Sequence, residues 1–187
     1  HGGKFMKKII YFLTGLLLIG LVGCGDMENT PTKQVEAFLS QYQTLDSKVL
    51  EDLDTVIADQ GSLTDEQSDE YRELMKKHYQ DLKYEIKDEV IDGDNATVSV
   101  EIEVNDYSKI LQDAENYRQE HEEEFQDENG EYDESKFIAY RLNAMKEANE
   151  KVKYTLDFTL TKDADGKWVL DNLTTADEQK INGTYTH

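Results

Sequence analysis

The sequence predicts an α+β fold in which N-terminal helices pack on one face of a four-stranded antiparallel sheet. Two observations predict it. Apolar residues recur at helical spacing from residue 31 to residue 82 and afterwards alternate with polar residues in four short stretches. Each stretch has one polar face, which is typical of an antiparallel sheet whose other face is covered by helices. The chain is long enough for a core, and we predict a single domain over residues 30–173.

Two helices are predicted before the sheet. Thr30 and Pro31 suit an N-cap and a first helical position. One long helix should then continue to Gly61, with an apolar stripe of Val35, Phe38, Leu39, Tyr42, Leu45, Val49, Leu50, Leu53, Val56 and Ile57. Thr64 and Gln67 match a capping box and start a second helix. Its stripe contains Tyr71, Leu74, Met75, His78, Tyr79 and Leu82.

Two β-hairpins separated by a helical crossover form the rest of the predicted domain. The hairpins turn at residues 92–95 and 163–166, where Asp, Asn and Gly suit tight turns. On the first strand, Tyr84, Ile86 and Val90 are predicted to face the core, with Glu85, Lys87 and Glu89 in water. The crossover, an acidic helical insertion over residues 106–150, should be two helices with a break at 127–130.

The N-terminal residues have the pattern of a secretory signal. Lys7 and Lys8 precede an apolar run that is shorter than the ~20 residues of a transmembrane helix. The run ends in Leu21, Val22, Gly23 and Cys24, which resemble the lipobox of bacterial lipoproteins. The resemblance implies that Cys24 receives a diacylglycerol thioether and that cleavage occurs before it. Two acyl chains give a lasting membrane anchor. The alternative is a small buried cysteine after an ordinary leader.

This signal divides the chain into segments. Residues 1–5 precede the expected start at Met6 and are interpreted as an upstream extension that the cell does not translate. Residues 6–23 form the signal peptide, and residues 24–29 form a lipidated tether. Residues 174–187 are polar without periodicity and are predicted to be a flexible tail. The expected location is the extracytoplasmic face of the cell membrane.

Charge restricts the partners. The chain has 20 Lys and Arg against 41 Asp and Glu, a net charge of −21. Removing the signal takes away Lys4, Lys7, Lys8 and no acid, so the charge becomes −24. Nucleic acids require a basic surface and are excluded as partners. An anionic bilayer repels such a domain, so the membrane contact should be made by acylated Cys24. The charge favours cationic proteins or divalent ions.

The order of predicted elements is similar to that of the nuclear-transport-factor-two-like, or cystatin-like, fold. The sequence Asp165-Gly166-Lys167-Trp168-Val169 opens the last strand, and Thr30-Pro31-Thr32-Lys33 starts the first helix. Together with the lipobox, these two short motifs resemble those of uncharacterised small lipoproteins of Gram-positive bacteria. The resemblance covers residues 30–173 and implies a cone with a cavity between helices and sheet. It implies no catalytic residues, and the long acidic crossover departs from the compact members of that fold.

No metal, cofactor or catalytic motif is complete. His121 and Glu122 begin like a zinc-protease helix, but Phe125 occupies the position of the second histidine. Residues 127–133 place oxygen-bearing side chains at alternate positions, as calcium-binding loops do, yet the glycine comes earlier than the position that such a loop requires. Asp88 falls on the apolar face of its strand and is the one candidate for an isomerase or hydrolase; a bulge or an exposed strand end is the simpler explanation. We expect the protein not to be an enzyme and to need no cofactor.

Two features leave the function open between interaction and ligand binding. Eleven acids against one Arg fill residues 112–134, which fits a solvated face or an acidic arm that contacts a basic envelope protein. Seven tyrosines fall on predicted apolar faces and could line a ligand cavity or belong to the core: Tyr71, Tyr79, Tyr84, Tyr107, Tyr117, Tyr140 and Tyr154. We therefore predict a non-catalytic envelope lipoprotein, with partner binding first and small-ligand binding as the alternative.

Overall fold

A computed structural model describes residues 10–12 and 28–186. The lipobox residues Leu21, Val22, Gly23 and Cys24 lie outside these residues, as does most of the predicted signal peptide. Among the described residues, no helix is both long and apolar enough to cross a bilayer.

The described residues form six α-helices and five β-strands. In chain order these are β1 (Ile10–Phe12), α1 (Pro31–Gln43), α2 (Ser47–Asp59), α3 (Asp65–Gln80), β2 (Lys83–Asp92), β3 (Asn95–Asn105), α4 (Ser108–Glu120), a 3₁₀ turn (Glu122–Phe125), α5 (Glu134–Lys146), β4 (Lys151–Lys162), β5 (Trp168–Leu170) and α6 (Thr175–Asn182). The predicted α+β class is confirmed, and the four predicted strands, β2 to β5, are present in an antiparallel sheet. The short strand β1 comes from the predicted signal peptide and pairs with β2.

The chain divides into two compact units. The sheet unit contains residues up to 41, residues 83–103 and residues 153–178. The helical unit contains residues 42–82, 104–152 and 179–187. The single domain over residues 30–173 stays a prediction.

The sheet unit is built from strands in the order β1-β2-β3-β4-β5. Along β3, Ala96, Val98, Val100 and Ile102 are buried and alternate with more exposed residues, as the sequence pattern predicts. Helix α1 contributes Val35 and Leu39, both with no exposed surface. The ring of Phe38 contacts Phe158 of β4 with centroids 5.9 Å apart. Helix and sheet therefore share one apolar core in this unit.

A β-bulge in β2 reverses the two faces predicted for the residues that follow the bulge. The register shifts between Ile86 and Asp88, and an extra residue in a strand moves the following side chains to the opposite face. The prediction that Glu89 faces water is therefore wrong, since Glu89 is only 6 % exposed. Its carboxylate accepts hydrogen bonds from the Thr32 backbone N–H at 3.0 Å and the Thr32 hydroxyl at 2.7 Å. The bulge explanation of Asp88 is confirmed.

The single long helix predicted before Gly61 is wrong. Helix α1 ends at Gln43, and α2 begins at Ser47 after Asp46, whose side chain accepts a hydrogen bond from the Lys48 backbone N–H. Leu45 between them has a φ of 53°, in the left-handed region that ends a helix. The apolar period continues through the break because Leu45 still packs against the core of the helical unit.

The crossover follows the predicted two-helix pattern, with a turn at residues 127–130. The prediction of a flexible C-terminal tail is wrong for residues 175–182, which form α6, and Ile181 is 2 % exposed. After α6, the Gly183 carbonyl accepts a hydrogen bond from the Tyr107 N–H at 2.8 Å. Gly183 has a φ of 75°, and a Cβ there would collide with the Asn105 carbonyl oxygen, so this position requires glycine.

Candidate ligand-binding site

The helical unit encloses a largely apolar cavity of about 240 Å³. Its walls come from α2 and the following loop, α3, α4, α5, the end of α6 and the segment after it. The lining residues are Leu53, Val56, Gln60, Leu63, Tyr71, Met75, Tyr79, Leu111, Ile138, Arg141, Leu142, Met145, Asn182 and Thr184. Val56 is 48 % exposed, so this wall of the cavity is open to solvent.

Local sequence signals position the helices that form these walls. The predicted capping box starts α3: the Thr64 hydroxyl accepts from the Gln67 N–H at 3.0 Å, and the Gln67 side chain accepts from the Thr64 N–H at 3.1 Å. The Gln67 amide then donates to the Ser135 carbonyl of α5 at 2.8 Å. Lys146 of α5 and Glu70 of α3 also form an ion pair at 2.5 Å. Helices α3 and α5 are thus joined by two polar contacts.

Two tyrosine hydroxyls are among the polar groups of the largely apolar wall. Burial raises the pKa of Tyr71, whose hydroxyl bonds to the Gln60 side chain. The Tyr79 hydroxyl donates to Asn182 Oδ1 at 3.0 Å, and burial also raises the pKa of this tyrosine. With raised pKa values, both hydroxyls are neutral hydrogen-bonding groups at physiological pH.

Arg141 of α5 supplies the only charge among the residues that line the cavity. Its guanidinium carbon lies 5.3 Å from the centre of the Phe137 ring. Within the part of the chain that the structure describes, no carboxylate lies within ion-pair distance of it, but its charge helps Arg118 to lower the pKa of Glu115. The Arg118 guanidinium lies 5.6 Å from the same ring but makes two hydrogen bonds to the Glu115 carboxylate, at 2.8 and 2.6 Å.

A second, more open cleft of about 390 Å³ adjoins this site. It shares Ile138 and Arg141 with the apolar cavity, and its other lining residues are mainly polar: Glu115, Arg118, Tyr132, Glu134 and Phe137. Arg141 therefore lies where an apolar space meets a polar one.

The structure brings together two of the seven candidate tyrosines. Tyr71 and Tyr79 line the cavity. Tyr107 is buried against His78, with ring centroids 5.2 Å apart. Tyr117 stacks on Tyr140 at 4.8 Å in a separate aromatic cluster of the helical unit. Tyr84 and Tyr154 belong to the sheet unit.

The other candidate residues serve local structure. The Asp88 carboxylate accepts the N–H of Glu89 at 2.9 Å. Asp127 accepts the N–H groups of Asn129 and Glu131 at 2.8 and 3.0 Å, which closes the predicted break in the crossover. The imidazole of His121 stacks on Tyr117 at 3.9 Å. Among residues 10–12 and 28–186, no three His, Cys, Asp or Glu side chains are arranged to hold a metal ion.

Sequence reasoning missed Arg141, although a signal was present. Arg141 comes three and four residues after Ile138 and Phe137 and four before Met145, within the apolar stripe of α5. A charged residue inside such a stripe either pairs in the fold or faces a polar opening.

Comparison with known proteins yields one structural similarity. No family model and no curated protein matches the sequence. A crystal structure of ycdA, a candidate lipoprotein from Bacillus subtilis subsp. subtilis str. 168, is similar with a TM-score of 0.41 and 13 % sequence identity. The similarity covers 82 % of this chain and 47 % of ycdA, so this chain spans about half the length of that protein.

Proposed function

We propose that this protein is a lipid-anchored lipoprotein of the bacterial cell envelope that binds a small ligand without transforming it. The anchor is supported by the signal pattern and by the lipobox-like sequence ending in Cys24. The resemblance to small lipoproteins of the nuclear-transport-factor-two-like fold stays a prediction.

The cavity of the helical unit carries the binding proposal. Its volume of about 240 Å³ exceeds the roughly 150 Å³ of an engineered cavity that binds benzene and lies just below the ~300 Å³ at which pockets for drug-sized ligands begin. Apolar side chains with a few polar groups line most small-molecule sites. Leu53, Met75 and Leu142 form such a wall, with Tyr71 and Arg141 as the polar groups.

Native mass spectrometry of the chain released from bacterial membranes tests both parts of this proposal. We expect the mass of a diacylated Cys24 and a small-molecule adduct on part of the population. The matched variant Leu142→Trp fills the cavity and should lose the adduct while keeping the lipid. A chain whose Cys24 carries no lipid contradicts the anchor, and an adduct that survives in Leu142→Trp contradicts this cavity as its site.

Contact with a basic envelope protein is the second candidate function. Eight of the eleven acids in residues 112–134 are exposed: Asp113, Glu120, Glu122, Glu123, Glu124, Glu128, Glu131 and Glu134. Their charge suits a cationic partner.

Charge reversal tests this second candidate. The double variant Glu122→Lys/Glu123→Lys should remove envelope cross-links that a control reversal of two other exposed acids, Asp59→Lys/Glu147→Lys, leaves intact. Equal cross-linking in both variants contradicts a role for the acidic segment.

A further inference from the structure

We propose that the cavity of the helical unit binds a small amphipathic carboxylate, whose apolar part lies among Leu53, Met75 and Leu142 and whose carboxylate contacts Arg141. This inference rests on the proposed binding function and names the class of ligand. Four observations carry it: the composition of the cavity wall, the state of Arg141, the position of Arg141 and the charges beside it.

The side chains of the cavity wall indicate that the larger part of the ligand is apolar. Eight of the fourteen lining residues have aliphatic or thioether side chains: Leu53, Val56, Leu63, Met75, Leu111, Ile138, Leu142 and Met145. Such a surface gains by excluding water from an apolar group, and methionine side chains adapt to its shape. The volume of about 240 Å³ limits that group to a small molecule.

The two arginines beside Phe137 differ in the way that an anion site requires. Arg118 donates twice to Glu115, so its charge is already neutralised. Arg141 is half-buried and contacts the Phe137 ring, and the described residues offer its guanidinium no carboxylate within ion-pair distance. A guanidinium presents a planar fork of N–H donors that matches a carboxylate. Arg141 is therefore available to an anionic group from outside the fold.

The position of Arg141 indicates that the ligand is amphipathic. Arg141 and Ile138 line both the apolar cavity and the polar cleft of about 390 Å³. A ligand that extends from one space to the other must be apolar at one end and charged at the other. Its charged end keeps contact with water in the open cleft, so binding does not require complete desolvation of the anion.

The carboxylates of the cleft favour a single negative charge over a double one. Glu115 and Glu134 line the same cleft, and like charges within a few ångströms repel. Arg118 neutralises Glu115, but Glu134 has no such partner among the described cations. A phosphate dianion would meet this repulsion more strongly than a carboxylate does.

The test compares two probes that differ at one end only, octanoate and 1-octanol. The full chain is held in phospholipid nanodiscs with methionine labelled by ¹³C at the methyl group, and the Met75 and Met145 signals are followed during titration at pH 7. Both probes should shift these two signals, and octanoate should bind at least about tenfold more tightly, since a charge-assisted hydrogen bond contributes about that factor.

Two matched variants separate the role of charge from that of packing. Arg141→Gln should weaken octanoate binding at least about tenfold and change 1-octanol binding less than about twofold. The control Arg72→Gln removes an arginine of α3 that pairs with Asp54 and Asp69 and lines neither space, so it should leave octanoate binding within about twofold. Retained 1-octanol binding shows that Arg141→Gln is folded.

The outcomes distinguish this inference from the proposed function. If both probes bind equally well and Arg141→Gln changes neither, the carboxylate site is wrong and the cavity still binds ligands. If neither probe shifts Met75 or Met145, both proposals fail. Palmitate tests whether the natural ligand is a fatty acid from the membrane. We expect palmitate to bind no more tightly than octanoate, and much tighter binding of palmitate would contradict the assignment to a small carboxylate.

Discussion

The sheet unit and the helical unit hold their enclosed charges in different ways. In the sheet unit, Glu89 is 6 % exposed and accepts two hydrogen bonds from Thr32 at the first turn of α1. In the helical unit, Arg141 contacts an aromatic ring, and no described carboxylate lies within ion-pair distance of its guanidinium. A buried charge with its partners inside the fold supports the fold. A charge without them, beside a cavity, is available to a ligand.

Removing the hydrogen-bonded carboxylate of Glu89 should have the largest effect on stability. Glu89→Ala leaves the Thr32 N–H and hydroxyl without their acceptor and removes a negative charge from the positive end of α1. We expect the free energy of unfolding in urea to fall by about 1–3 kcal/mol. The control is Glu85→Ala on the exposed face of the same strand, which should change it by less than about 0.5 kcal/mol. Equal losses in both variants would show that Glu89 is not a structural charge.

An intermediate effect should come from His78, a buried base in the helical unit. Burial lowers its pKa, partly opposed by the hydrogen bond from Nε2 to the Ile181 carbonyl at 2.8 Å. Nearby Lys151 lowers the pKa further, and Asp81 raises it. The unfolded chain takes up a proton near pH 6.5, where the folded chain does not, so stability is complete above that pH and decreases as the pH falls below it.

We expect the free energy of unfolding to decrease from pH 7.5 to pH 5.5, by at most about 1.4 kcal/mol for each pH unit below 6.5, since a single proton is taken up. Urea unfolding at the two pH values measures it, with His78→Gln as the reference. The decrease in stability should be smaller in His78→Gln by that amount. The same decrease in both proteins would contradict a neutral, buried His78.

The smallest effect on stability should come from the unpaired charge. Arg141→Gln removes the contact between the guanidinium and the Phe137 ring, which contributes about 0.5–1 kcal/mol at partly exposed sites. The free energy of unfolding should therefore fall by at most about 1 kcal/mol. A loss above about 2 kcal/mol would show that the fold requires the charge of Arg141, as it requires that of Glu89.

Much of the fold was predictable because its signals are local. The alternation along β3 and the capping box of Thr64 and Gln67 depend on neighbouring residues and appear in the structure as predicted. The C-terminal helix α6 was missed because its one buried residue, Ile181, gives no period. The break at Leu45 was missed because a leucine in the left-handed region has no sequence signature and the apolar stripe continues through it.

The candidate site was only partly predictable because it depends on contacts between distant segments. Tyr71 and Tyr79 were found from their helical stripe, but nothing local separates them from Tyr117 or Tyr140, which stack on each other instead. The bulge that turns Glu89 inward is also set by the pairing of β2 with β3. Whether Arg141 has a partner depends on where Glu115 points, and Glu115 bonds to Arg118.

The attachment of α6 determines when the helical unit can be completed during synthesis. His78 bonds to Ile181 and Tyr79 to Asn182, each across 103 residues of chain, and Tyr107 bonds to Gly183. A ribosome delivers residues 42–82 long before residues 179–187, so these bonds form only after residue 183 has been synthesised. Pairings at such long separation also slow folding. The cavity wall containing Asn182 and Thr184 is therefore assembled last, and nascent chains that have not reached Thr184 have no complete cavity.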